Sequence, residues 1–257
     1  MNSITAIIVS FNRPLYTLDC LNSLHKYFPN VKILVGENGN QSEEIRMKVE
    51  RLGGQYIVFP FDSGVPYVRN QLFKLVNTEY VLIGDDDFYY FEKANLSRAA
   101  KFLDNHPEFS VIGGRVRTKH IIRDYQGYIH THKGLMYDKI PAEQLYYRYC
   151  PVSRLNYCPI DMMTNFWLGR LKDLPEYEED QKIVHEHTDY MIRLFNLGIK
   201  MAFTPQMIVD HKKREYDYPA YTQYRKRLKE KNYLVRKYGG IETDKVIIRR
   251  SLNLKFN

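Results

Sequence analysis

Four short apolar runs recur in the first third of the chain: Ile4–Val9 (ITAIIV), Val31–Val35 (VKILV), Gln55–Phe59 and Tyr80–Ile83. Runs this short and this β-branched suit strands buried on both faces. Helical spacing fills two of the gaps. Pro14 opens one helix through Leu18, Leu21 and Leu24, and Gly64–Val76 sets Val68, Leu72, Leu75 and Val76 on one side of another. Strands alternating with helices call for an α/β fold around a mainly parallel central sheet. In such sheets ligands bind beyond the carboxyl ends of the strands, so the loops Ser10–Arg13, Glu37–Asn40 and Asp85–Asp87 should converge on one crevice.

The last of those loops follows TEYVLIG and reads DDD, with FYY behind it. Three adjacent carboxylates at a strand end repel one another unless something positive sits there. A hard divalent cation, Mg²⁺ or Mn²⁺, prefers such oxygen ligands and is commonly completed by substrate phosphates. An acidic turn capping the next segment is the plainer alternative. A second constellation lies in IVHEHTDYMIRL, where Glu186, Asp189 and Arg193 occupy neighbouring positions at a helix start, with His187 beside them. The helix dipole alone would favour acidic residues in that first turn. Asp210-His211 closes a later strand and adds a candidate metal ligand.

Elsewhere the pattern gives a helix over 94–103, a strand over 110–116, and loops with short strands over 118–160. A strand over 164–168, a helix over 186–197 stopped by Gly198, and two strands over 199–204 and 207–209 follow. Phe166, Trp167 and the Tyr146–Tyr149 stretch are either acceptor contacts or core. Cys20, Cys150 and Cys158 are odd in number and form no metal pattern, which suits reduced thiols in a cytoplasmic protein. No stretch approaches the ~20 apolar residues of a membrane span, and the N-terminus has no basic segment of a signal peptide. From residue 212 onward there are 14 Lys and Arg against 5 Asp and Glu, so the net charge of +8 belongs to the tail. Tyr221–Tyr238, ended by Gly239-Gly240, reads as a basic amphipathic helix, suited to peripheral contact with an anionic membrane or to simple solvation.

The ordered motifs resemble the GT-A glycosyltransferases of the family 2 type. AIIVSFNRPLYTLDCLNSL is similar to their opening strand, nucleotide loop and helix. GVPYVRNQLFKLVNTEYVLIGDDDF is similar to their Gly…Arg-Asn helix, strand and DxD motif, and EHTDYMIRLFNLGIKMAFTP…DH to the segment carrying the catalytic carboxylate and a final His. Within that class, TEYVLIGDDDF, Ile112-Gly113-Gly114, TNFWLGR and VDHKK resemble the β-1,4-N-acetylgalactosaminyltransferases. The likeness runs over about residues 4–213.

The resemblance implies a GT-A domain over 1–213, with a nucleotide-binding half at about 1–117 and an acceptor half at about 118–213, followed by a basic extension over 214–257. Ser10, Phe11, Asn12 and Arg13 would line the nucleotide pocket, with Glu37 near the base. Arg69 would approach the ribose or diphosphate and Asp85 the ribose or a metal-bound water, with Asp86 beside it in the cofactor-binding set. Asp87 and His211 would hold Mn²⁺ or Mg²⁺. The base is left among Asp189, Glu186 and His187, with Asp189 favoured. The implied reaction is inverting transfer of a hexose or N-acetylhexosamine from a nucleotide sugar, UDP-linked by preference, to a glycan or lipid-linked saccharide. The implied setting is cytoplasmic, with peripheral attachment to the inner face of a membrane.

Two other classes compete. A nucleotidyltransferase acting on sugar phosphates would carry a Gly-rich phosphate loop after the first strand, and SFNRP is not one. A nucleic-acid-binding protein would explain the basic, Tyr-rich tail but leaves the acidic triplet without a purpose. No nucleic-acid partner is therefore expected.

Overall fold

The computed structural model describes residues 3–118, 121–123, 126–130, 136–212, 218–219, 221, 223–224 and 233–238. The first half runs β1 (Ile4–Ser10), α1 (Pro14–Tyr27), β2 (Lys32–Glu37), α2 (Glu43–Arg51), β3 (Gln55–Val58), α3 (Val65–Phe73) and β4 (Tyr80–Ile83). Next come β5 (Phe88–Tyr89), α4 (Leu96–Asn105), β6 (Val111–Thr118), β7 (Ile121–Arg123), β8 (Gly127–His130) and β9 (Met136–Lys139). The remainder is β10 (Arg148–Cys150), β11 (Leu155–Ile160), β12 (Trp167–Arg170), α5 (Glu186–Asn196), β13 (Met201–His211) and a short α6 (Tyr233–Tyr238).

Eleven strands form one sheet in the order β10-β11-β13-β6-β12-β4-β1-β2-β3, with β5 on β13 and β7 on β6. The stretch β4-β1-β2-β3 is parallel throughout, as the alternation of apolar runs and helices requires. β12 then enters antiparallel between β4 and β6, with Trp167 opposite both Ile83 and Gly113.

Period-two alternation divides the core between the two faces of the sheet. Ile4, Ala6, Ile8 and Leu82 pack with Leu21 and Leu24 of α1 and Phe102 of α4, whereas Ile7, Val81 and Ile83 pack with Val68 and Leu72 of α3 and Met191 of α5. The central strands are buried on both sides, so their polar ends alone reach solvent.

Some expectations shift. The runs 199–204 and 207–209 are one strand, β13, whose register against β6 breaks between Phe203 and Ile208. Pro205 lies inside that break and has no N–H to give the ladder. The strand placed at 164–168 starts at Trp167, and Phe166 and Trp167 are wholly buried core, not acceptor contacts. Helix α2 was not among the expected elements; Ser42 caps it by accepting from Ile45 N at 3.4 Å. The three cysteines are free and buried. Among the described residues, no helix is long and apolar enough to cross a membrane.

Candidate active site

Three chain segments meet at the carboxyl ends of β1 and β4. β1 ends in Ser10 and passes through Phe11 and Asn12 (φ 52°) to Arg13, which precedes the first turn of α1. β4 delivers Asp85, Asp86 and Asp87. β13 pairs antiparallel with β5, setting His211 opposite Phe88 and therefore next to Asp87. Between them lies a cavity of about 410 Å³, with Phe11, Arg13, Arg69, the three aspartates, Asn165, Glu186, His187, His211 and Tyr221 on its walls.

The positive charge demanded by the aspartates is supplied first by the chain itself. Arg13 pairs with Asp86 and, at 2.9 Å, with Asp87 Oδ2. Its guanidinium lies 4.2 Å from the ring centroid of Tyr221, within cation–π range. His211 Nε2 stands 3.1 Å from the same Asp87 oxygen, while its Nδ1 is 3.2 Å from Thr118 Oγ1. Arg69, a buried side chain of the cavity wall, comes within 3.6 Å of Asp85, and Asn165 donates to Asp85 Oδ1 at 2.5 Å.

These placements separate the carboxylates electrostatically. Burial, only partly offset by Arg13 and reinforced by Asp87 and Asp85, pushes Asp86 up to about 7. For Asp87 burial acts in the same direction, but His211 and Arg13 outweigh it and hold the carboxyl below its ordinary value.

Asp87 Oδ1 is buried with no hydrogen-bond partner. Such an oxygen, on the carboxylate whose other oxygen meets His211, suits a divalent cation. No cluster of three or more His, Cys, Asp or Glu converges as a metal centre among the described residues. Asp87 and His211 could hold such a cation, with a bound phosphate completing the shell, as Mg²⁺-type sites commonly require.

The opposite wall is the start of α5. His185 sits in left-handed conformation (φ 66°) and turns the chain so that Glu186 and His187 face the cavity. Glu186 Oε2 lies 3.8 Å from His187 Nδ1. Burial raises the Glu186 carboxyl, yet His187 and Arg69 prevail and keep it below the ordinary range; Glu186 in turn raises His187 against its own burial. The two shifts favour the charged form of each group, a carboxylate beside an imidazolium.

Asp189 is not on this wall. It is 3% exposed and faces α6, where Lys237 Nζ meets its Oδ1 at 2.9 Å and Tyr238 OH donates to the same oxygen at 2.7 Å. Ser10, Asn12 and Glu37 also stand behind the cavity surface. Ser10 accepts from Thr17 Oγ1 at 3.1 Å, Asn12 Oδ1 accepts from Asn40 N at 2.8 Å, and Glu37 holds Gly39 N at 2.8 Å and Tyr56 OH at 3.3 Å. They shape the wall on which Phe11 and Arg13 are displayed.

Sequence reasoning gave no site role to Asn165 or Asn70 and placed Tyr221 on a basic helix suited to a membrane surface. Asn70 pins the loop leading into α5: its Nδ2 donates to Tyr177 O at 2.9 Å and Glu179 at 2.8 Å, and its Oδ1 accepts from Tyr177 N at 2.7 Å. Gly64, at φ 103°, lets the same loop approach until Val65 N donates to Lys182 O at 2.7 Å. Tyr177 then stacks on Tyr190 at 3.7 Å and meets the Arg69 guanidinium at 5.3 Å. The Asn70→Ala variant should lose about 3 kcal/mol, since buried backbone groups of Tyr177 would be left unsatisfied. Urea denaturation at constant slope would measure that loss.

Of the basic tail, Tyr221 and Tyr224 pack on Phe11 at 6.2 and 5.1 Å between ring centroids. Arg225, Lys226, Arg227, Lys229 and Lys231, the basic side of the helix expected to meet a membrane, lie outside the described residues, as does Leu228 of its apolar side.

A family model described as Glycosyl transferase family 2 matches residues 5–170. Human β-1,4 N-acetylgalactosaminyltransferase 1 is 25% identical over 206 residues, covering 74% of this chain and 35% of that protein. The chain spans about a third or less of the length of the curated relatives it matches. Among solved structures, S. aureus TarS 1–349 in complex with UDP-GlcNAc superposes with a TM-score of 0.58 at 16% identity, over 85% of this chain and 60% of that one. The mannosyltransferase PcManGT from Pyrobaculum calidifontis, in complex with GDP-Man and Mn²⁺, gives 0.57 at 11% identity, over 88% and 61%. These likenesses show the GT-A fold.

Proposed function

We propose a specific reaction for this chain, which belongs to glycosyl transferase family 2 and is a glycosyltransferase. It transfers a hexose or N-acetylhexosamine, N-acetylhexosamine by preference, from a UDP-linked donor to a hydroxyl of a glycan or lipid-linked saccharide, with inversion at the anomeric carbon. The observation that carries this reading is one cavity with a cationic, carboxylate-bearing floor and a separate carboxylate on the facing wall. The curated relative's name supports N-acetylgalactosamine as the sugar, and the UDP-GlcNAc held by the structural neighbour supports the nucleotide.

Asp87 and His211 would hold Mn²⁺ or Mg²⁺ on the diphosphate. A divalent cation there supplies Lewis-acid neutralisation of the charge that develops on the leaving group. Arg13 and Arg69 add fixed positive charge on either side, and Phe11 with Tyr221 offers aromatic surface to the nucleoside. Asp85, steadied by Asn165, would accept from sugar or ribose hydroxyls. Glu186 takes the proton of the acceptor hydroxyl as its oxygen bonds to C1, and the C1–O bond to the diphosphate breaks with its electron pair leaving on the nucleotide. A single displacement inverts the centre.

Calorimetric titration of UDP into the protein, with Mn²⁺ and with EDTA, tests the reading. Binding is expected with Mn²⁺, at least about tenfold weaker with EDTA, and weakened to the same degree in Asp87→Ala even when Mn²⁺ is present. Binding indifferent to both EDTA and Asp87→Ala would remove the metal from the mechanism. Preference for GDP, CDP or dTDP would replace the donor.

A further inference from the structure

Helix α6 lies beyond the family match, yet its contacts run to the wall that carries the base. Tyr233 and Leu234 are buried in the same apolar cluster as Tyr190, Met191 and Leu194 of α5. From that seat Lys237 Nζ reaches both oxygens of Asp189, at 2.9 and 3.0 Å, and Tyr238 OH adds a hydrogen bond of 2.7 Å. Tyr233 OH accepts from the same ammonium at 3.1 Å, so Lys237 is itself fixed. Asp189 closes the first turn of α5, since its N–H donates to His185 O at 2.8 Å. That turn presents Glu186 and His187 to the cavity on its other side.

We propose that Asp189, Lys237 and Tyr238 form a latch by which the C-terminal helix positions Glu186, making all three positioning residues for sugar transfer. The inference rests on the glycosyltransfer reading for its kinetic consequence, not for its structural one. A buried carboxylate held by an ammonium and a phenol cannot move without leaving uncompensated charge. The latch therefore fixes where the first turn of α5 points. Displacing a catalytic group by about 1 Å can cost ~10²-fold in rate, whereas the nucleotide, bound on the opposite wall, would not register the change.

The test uses the full chain in four variants: Tyr238→Phe, Lys237→Met, Asp189→Asn, and the Asp189→Asn/Lys237→Met double. Each is measured for kcat, for UDP affinity by calorimetry, and for amide hydrogen exchange over residues 186–190. Lys237→Met is expected to lose about 10–100-fold in kcat with UDP affinity unchanged and exchange in that turn accelerated. Tyr238→Phe, the mildest change, should show the same split on a smaller scale and keeps the test readable if Lys237→Met folds poorly. Asp189→Asn still accepts from Tyr238 and should retain most activity, and the double variant should be no worse than Lys237→Met alone. Turnover abolished by Asp189→Asn at native exchange protection would make Asp189 the base and overturn the latch. So would an unchanged kcat in Lys237→Met, or kcat and UDP affinity falling together. If the native chain binds no UDP and transfers no sugar, the functional reading fails by itself. The exchange comparison then still decides the latch, which is overturned by equal protection in the native chain and Lys237→Met.

Discussion

Replacing Glu186 by Gln is expected to lower kcat by about 10³-fold, the middle of the range for loss of a general base, while UDP binding stays within about twofold. The amide keeps the size and the approximate hydrogen-bonding reach of the side chain but cannot take a proton. Glu186 is singled out because it is the ionised carboxylate on the wall facing the aspartates: His187 and Arg69 hold it charged in spite of its burial. His187→Gln should cost less, because the imidazole's part is to stabilise that charge. Steady-state kinetics beside calorimetry would check both. A Glu186→Gln enzyme with native kcat would move the base to another residue of the cavity.

Arg13→Ala is expected to lose much more stability without metal than with it. Arg13 is the internal counter-ion of Asp86 and Asp87, with a side chain only 12% exposed. Removing one partner of a buried charge cluster typically costs about 3–5 kcal/mol. The lower figure applies here, because Asp86 can take up a proton near neutral pH and His211 remains beside Asp87. In a chain of this size that corresponds to a fall of about 6–12 °C in Tm, measured in EDTA. Mn²⁺ should restore most of it, since a ligand at a hundred times its Kd stabilises by about 2.7 kcal/mol. The native protein, already neutralised by Arg13, should respond to Mn²⁺ alone far less. Equal Tm deficits with and without Mn²⁺ would mean that the carboxylates freed in the variant do not bind the cation.

What was legible in the sequence is what short-range physics decides. The four parallel strands and their helices follow from local periodicity, and the strand-end rule brings the SFNR loop and the acidic triplet together before any coordinates are seen. The roles within α5 were not legible. Residues three apart on a helix differ by about 60° around its axis, so Glu186 and Asp189 look equivalent in sequence but face different neighbours. Which one meets the cavity depends on α6, more than 40 positions later in the chain. Asn165 reaches Asp85 only because β12 pairs with β4 across some 80 residues, and no local signal encodes that pairing. The basic C-terminal stretch was hard to read for a related reason. Its charge count points to anionic surfaces, and the basic residues behind that reading lie outside the described ones, while its described tyrosines and Lys237 pack onto the loop after β1 and onto α5.

The antiparallel entry of β12 beside β4 has a consequence for how the chain is made. Until residue 170 has left the ribosome, the growing sheet ends in the bare edge of β4, whose Tyr80–Ile83 backbone and apolar side chains have no neighbour on that side. Such an edge pairs readily with other chains. The four parallel strands are therefore complete in sequence roughly 90 residues before they are complete in structure, and at ~5–20 residues per second that interval lasts about 5–20 s. The first half, excised or fused elsewhere, would leave its fourth strand without the partner that the second half supplies.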